Sequence, residues 1–243
     1  MGKAEGDPGM IRNFAIAVLA AGAALAASHG VAFGAGPDTA WADQDPSNKI
    51  NGSIEVAPGE HRGDLSTING SILVGADAVV GQAKTVNGNL KLESRATTKT
   101  LTTVNGSITA HDGVHVQGNV TAVNGALHVS NAADVSGNAT NVSGGIHVEN
   151  AHVGGNVDTC AGSIDLGPNA HIDGDVVVEK DNSWHFGFFN VPPPVHVVIG
   201  PGTVVKGTLR FERPVKLYVS DRATIGTVQG AEVMKFSGDH PPE

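Results

Sequence analysis

Eleven histidines stand among the 243 residues, and several of them share a register. Three residues before successive recurring glycines stand His115, Asp134, His152 and His171, in that order. A second series holds His128, His147 and Asp165 at equivalent positions. Imidazole and carboxylate groups one structural repeat apart are within reach of a shared Zn²⁺ or Cu²⁺. The candidate metal ligands are therefore His115, Asp134, His152, His171, His128 and His147. The competing account is a pair of solvated polar ladders. It is the one adopted, because outward positions of a repeat are free to vary. No cofactor is expected.

Other motifs carry less. Cys160 is the only cysteine, and no electropositive partner near it points to a reactive thiolate. It takes the place held by Val104, Val123 and Val142 in preceding repeats, which reads as an inward position filled by a small apolar residue. Arg62-Gly63-Asp64 spells a cell-attachment tripeptide, but it falls on a corner that the repeat itself explains. The glycosylation pattern at Asn51, Asn69 and Asn105 has the same origin. Acid and base residues are scattered rather than clustered. Neither the strict six-residue steps and catalytic loop histidine of hexapeptide acyltransferases nor the charged groove of polysaccharide lyases is present. His185 lies in the one insertion without a recognisable acid partner. The expectation is a protein that is not an enzyme.

The elements that must position these residues are set by one period. The corners Asn51-Gly52, Asn69-Gly70, Asn87-Gly88, Asn105-Gly106, Asn124-Gly125, Ser143-Gly144 and Ala161-Gly162 recur at steps of 18 or 19 residues. A fixed step of this size marks a solenoid. Within a coil, apolar pairs two apart (Ile108 and Ala110, Val114 and Val116) follow the strand period. A third pair lies three apart (Val120 and Val123, Leu101 and Val104), which predicts a bulge or a tight bend on that face. Three short strands per coil make an all-β, single-stranded parallel β-helix of triangular section. The predicted inward set includes Ile108, Val116, Val123, Leu127, Val135 and Val142. Stacking at about 4.8 Å predicts an amide ladder through Asn51, Asn69, Asn87, Asn105 and Asn124.

The N-terminal stretch differs. A basic lead at Met10-Ile11-Arg12, an Ala-rich apolar run over 14–27, and small-residue sites ending at Ala26 and Ala42 predict a secretory signal peptide over 1–42, with Met10 as a possible true start. The run is short for a membrane span. Export to the periplasm, the cell surface or the medium is expected, with no transmembrane segment in the mature chain. The net charge of −9 argues against nucleic-acid or polybasic membrane partners.

Regular coils are expected over 43–183 and again over 195–236, with a tail at 237–243. Between them, at 184–194, aromatic residues arrive together as Trp184, Phe186, Phe188 and Phe189, followed by three prolines. No aromatic residue occurs over 43–183. This loop either packs on the solenoid wall or presents a patch to a partner, a membrane surface or a polysaccharide.

Over residues 49–230 the run of Val-x-Gly-Asn-Val-x-x-Val-Asn-Gly-Ser-Ile units, seen at 116–127, resembles the bactofilins, polymer-forming bacterial cytoskeletal proteins. It is also similar to adhesin-type β-helix domains of secreted bacterial proteins. The resemblance implies a right-handed helix that polymerises without nucleotide. The signal peptide and the aromatic insertion depart from bactofilins and favour an extracytoplasmic structural or adhesive role, with self-association or a cell-envelope partner. A metal- or glycan-binding module is the alternative.

Overall fold

The computed structural model of the chain describes residues 47–180 and 193–241. The expected signal peptide, His185 and the aromatic residues Trp184, Phe186, Phe188 and Phe189 lie outside the described residues.

The described chain winds into three parallel sheets of ten, ten and nine strands, each strand pairing with its counterpart one coil away. A coil crosses a long face (Leu101–Asn105), a second face (Ile108–Ala110) and a short face (His115–Val116), then rises to Val120–Asn124. The fold is a single-stranded parallel β-helix. Registers are fixed side chain to side chain: Ile108 sits between Leu90 and Leu127, and Val116 between Thr98 and Val135.

Strand alternation fills the interior. Leu101, Ile108, Val114, Val116, Leu127 and Val135 are completely buried and belong to one continuous core running the length of the coils. Each such side chain contributes roughly 1.5–3 kcal/mol relative to leaving it in water. Backbone groups are satisfied by the coil above or below, as in Ile108 N–H donating to Ala126 O at 2.9 Å.

The long face corrects one expectation. The strands Leu101–Asn105 and Val120–Asn124 run in register with no extra residue, so no bulge separates the apolar pair. The inward residues are two apart, as on the other faces: Leu101 with Thr103, Val120 with Ala122, Ala139 with Asn141, all at 0–1% exposure. Val104, Val123 and Val142 are half-exposed and are not among the residues packed on the core. They point out, and Cys160 follows them. The physical reason is in the polar partner. Thr67, Thr85 and Thr103 turn inward, and their hydroxyls donate to the carbonyls of Gly52, Gly70 and Gly88 at 3.0, 2.8 and 3.1 Å. Asn141 takes the same place and donates to Gly125 O at 2.7 Å. A hydroxyl that satisfies a corner carbonyl is more useful inside than a valine that would leave it unpaired.

The Asn-Gly corner needs glycine for space. A Cβ on Gly106 would lie 2.0 Å from Gly88 O, and one on Gly88 would lie 2.0 Å from Gly70 O. Left-handed residues also recur at the corner between the second and short faces, at Asp77, Arg95, Asn131, Asn150 and Asn169. Asn and Asp tolerate that conformation better than most residues.

Candidate functional site

With the interior closed, chemistry is confined to the outer side chains, which stack in columns. On the short face the backbone register aligns His115, Asp134, His152 and His171 on consecutive coils. Asp134 sits between two imidazoles: Oδ2 is 2.8 Å from His115 Nδ1 and Oδ1 is 2.5 Å from His152 Nδ1. The other nitrogen of His152 faces Asp173 Oδ2 at 3.3 Å. Asp173 Oδ1 also meets His171 Nε2 at 3.2 Å and Lys206 Nζ at 2.7 Å. The result is an alternating chain of bases and carboxylates up one face. Hydrogen bonding to Asp134 raises the pKa of His152 above its ordinary value against the opposing effect of partial burial. Hydrogen bonding from Lys206, then His152, lowers that of Asp173.

On the second face His128, His147 and Asp165 are aligned. His147 Nδ1 is 3.1 Å from Asp165 Oδ2 and its Nε2 is 3.3 Å from Glu149 Oε2. The rings of His128 and His147 lie 5.9 Å apart. Partial burial, with the neighbouring His147 adding to it, lowers the pKa of His128.

No group of three or more His, Cys, Asp or Glu side chains among the described residues is arranged to hold a metal ion. His115, His147 and His152 meet carboxylates of neighbouring coils, and His171 meets Asp173 of its own coil.

Corner polar groups are engaged in the same stacked manner. Asn69, Asn87, Asn105 and Asn124 each donate Nδ2–H to the Oδ1 of the Asn one coil below, at 2.9 to 3.0 Å. At the third corner a side-chain oxygen accepts a backbone N–H from the next coil, as Asn119 does from Asn138 and Asn138 from Asn156. Asp64 belongs to this set and accepts from Gln82 N at 2.9 Å. Its neighbour Arg62 holds Glu60 at 2.7 Å, so the Arg-Gly-Asp tripeptide is spent on stacking contacts.

Two features escaped the sequence reading. The inward Thr column carried a signal, since Thr67, Thr85 and Thr103 recur every 18 residues. The other is Asp158, an outward residue of the long face aligned between Thr140 and Val177. Burial, with Glu179 and Asp175 adding to it against Arg210, pushes its pKa up to about 7. Burial, then Glu212, also raises that of Glu179. These acids are far apart in sequence, so no local motif announces them.

The insertion leaves the long-face strand Val176–Val178 and the chain returns in the second-face strand Val195–Ile199. Val197 takes the place after Ile164 in the stack. The solenoid register therefore continues on the far side of the insertion. No helix among the described residues is long and apolar enough to cross a membrane.

Architecture and outer ladders together define a parallel β-solenoid, the broad class to which the bactofilin and adhesin resemblances point. No protein-family model, no curated protein and no solved structure matches the chain.

Proposed function

We propose that this protein is a non-enzymatic structural scaffold, exported from the bacterial cytoplasm, that assembles through the ends of its solenoid. One observation carries the reading. Among the described residues each of the three sheets ends in strands paired on one side only: Ser47–Asn51, Ile54–Val56 and His61–Arg62 at one end, Val228–Gln229, Val233–Phe236 and Thr224–Ile225 at the other. Unpaired strand edges are templates for a further strand, and a constant coil geometry lets a second copy continue the stack. The closed interior and the carboxylate-paired histidines support a structural role more than a reaction centre. Export rests on the basic lead and apolar run before residue 42.

The test combines fractionation of the producing cells with electron microscopy and sedimentation of the purified protein. Rods that lengthen with concentration, from protein recovered outside the cytoplasm, are expected. Single rods of one length at every concentration would remove the assembly reading, and cytoplasmic protein would remove export.

A further inference from the structure

The interior is apolar along much of its length and cationic where it ends. On the second face one inward column runs from Val56 through Leu92, Val129 and Leu166 to Val219, buried at every coil. Its next member, in register with Val219, is Lys235. At the other end of the stack Lys49 is in register with Thr67 and Arg62 with Val80, and both of those partners are completely buried. Among the described residues each of the three sheets thus carries, at one of its ends, a cation in a column that is interior in the coils beside it. The two at the N-terminal end are held. Lys49 Nζ donates to Ser53 O at 2.7 Å, and Arg62 donates to Glu60 at 2.7 Å and to Ser47 Oγ at 2.8 Å. Lys235 is exposed, and the tail beyond it turns over the neighbouring corner, with Ser237 on Asp221 and Asp239 on Arg222. Inward-pointing charge is one way in which a sheet edge refuses a further strand.

We propose that these three cations gate the end-to-end contact, with Lys235 as the main barrier; the inference rests on the assembly reading above and names what limits it. Continuing the stack head to tail puts Ile54 of the incoming copy on Val233 and its Val56 on Lys235, since the members of each pair share a column. Val56 offers no counter-charge, and Glu55 stands on the outer side of the same strand. Lys49 and Arg62 are shut into the joint as well, where Glu60 already serves Arg62. An ammonium enclosed without an acid is strongly disfavoured. That penalty opposes the apolar burial gained by Ile54 and Val233. The end contact is therefore weak and reversible, and the charge at position 235 sets the concentration at which rods begin.

Sedimentation and electron microscopy of the full chain over about 1–200 µM test this. Lys235→Val is expected to lower the concentration at which rods appear by at least about tenfold, with the circular dichroism of the dilute protein unchanged. Lys235→Arg should behave as the parent, and Lys49→Thr should lower the threshold by less than Lys235→Val does. Removing a lysine makes a chain of net charge −9 more acidic, which by itself would hinder association, so the expected change has the opposite sign to a net-charge effect. Lys216→Val, on the outer side of the strand beneath, controls for a new exposed valine and should change nothing. Glu55→Cys with Met234→Cys in a Cys160→Ser background should be linked copy to copy by a short bis-maleimide, because head-to-tail stacking sets those two positions one above the other. Rods that form at the same concentration in the parent and in Lys235→Val overturn the gate and leave the end contact standing. Equal gains from Lys235→Val and Lys216→Val, or from Lys235→Val and Lys235→Arg, also overturn it. No rods in any variant at any concentration overturns both the gate and the end contact. Rods in Lys235→Val alone, with the parent staying single, support the gate and show that the natural chain does not make the end contact unaided.

Discussion

His152 and His128 differ in their surroundings in a way that fixes the sign of two pH effects. The folded pKa of His152 is raised by Asp134, so its contribution to stability is full below the unfolded value of about 6.5 and disappears as pH rises through the higher folded value. His128 is shifted the other way by burial, so its contribution is present at high pH and disappears as pH falls below about 6.5. The expected outcome is that His152→Gln flattens the melting temperature's decline on the alkaline side, while His128→Gln flattens its decline on the acid side; thermal melts across pH 5 to 9, at roughly half-unit steps, check both. Asp158 gives a third case. Its folded pKa near 7 means that stability falls as pH rises from about 4 to about 7, because the folded state holds the proton more tightly. Asp158→Asn should therefore stabilise the dilute monomer at pH 7 by on the order of 1 kcal/mol or more, each pKa unit being worth about 1.4. Dilute denaturant titration measures it, and an unchanged midpoint would show that the carboxylate is well solvated.

At the scale of the element, two substitutions of one kind separate the inner and outer surfaces of a strand. Ile108 is fully buried, so Ile108→Asp places an unpaired charge in the core and is expected to abolish folding. Val123→Asp, on the outer side of the next coil's long face, is expected to fold and to melt within a few degrees of the parent. The corners divide in the same way. Gly106→Ala drives a Cβ to 2.0 Å from the Gly88 carbonyl and should cost several kcal/mol, on the scale of overpacking and strain. Gly59, with φ of +70° and nothing within 4 Å of its Cβ position, should lose only about 1 kcal/mol as Ala. Similar costs at the two corners would mean that stacking contact is not what selects the Asn-Gly glycine.

At the largest scale the described residues form a one-dimensional stack in which each interior coil is held by its two neighbours. Burial thins toward its ends: Val233–Phe236 has one buried residue and Ser47–Asn51 has none. Amides of Val228 and Thr224 are expected to exchange with solvent well before those of Val116 and Val135, which hydrogen exchange resolved by mass spectrometry will show. Uniform protection along the stack would indicate that the end coils are covered by partners, and its dependence on concentration would link that cover to assembly.

Much of this was legible in the sequence because a solenoid repeats its physics at a fixed step. The 18- to 19-residue period, the paired apolar residues of the second and short faces, and the Asn51 to Asn124 register all follow from stacking like on like, which local composition records. The long face was misread for a reason equally local. In Leu101-Thr102-Thr103-Val104 hydrophobicity alone favours Val104 as the inward partner, and only the carbonyl of Gly88, 15 residues earlier, gives Thr103 a hydrogen bond inside. The pairing of His152 with Asp134 and Asp173, and the crowding of Asp158 by Glu179, Asp175 and Arg210, join side chains from different coils. Sequence sets which residue types can meet in a column. The tertiary stack decides which side of the wall they stand on and which charges they face, because those depend on neighbours a full coil away.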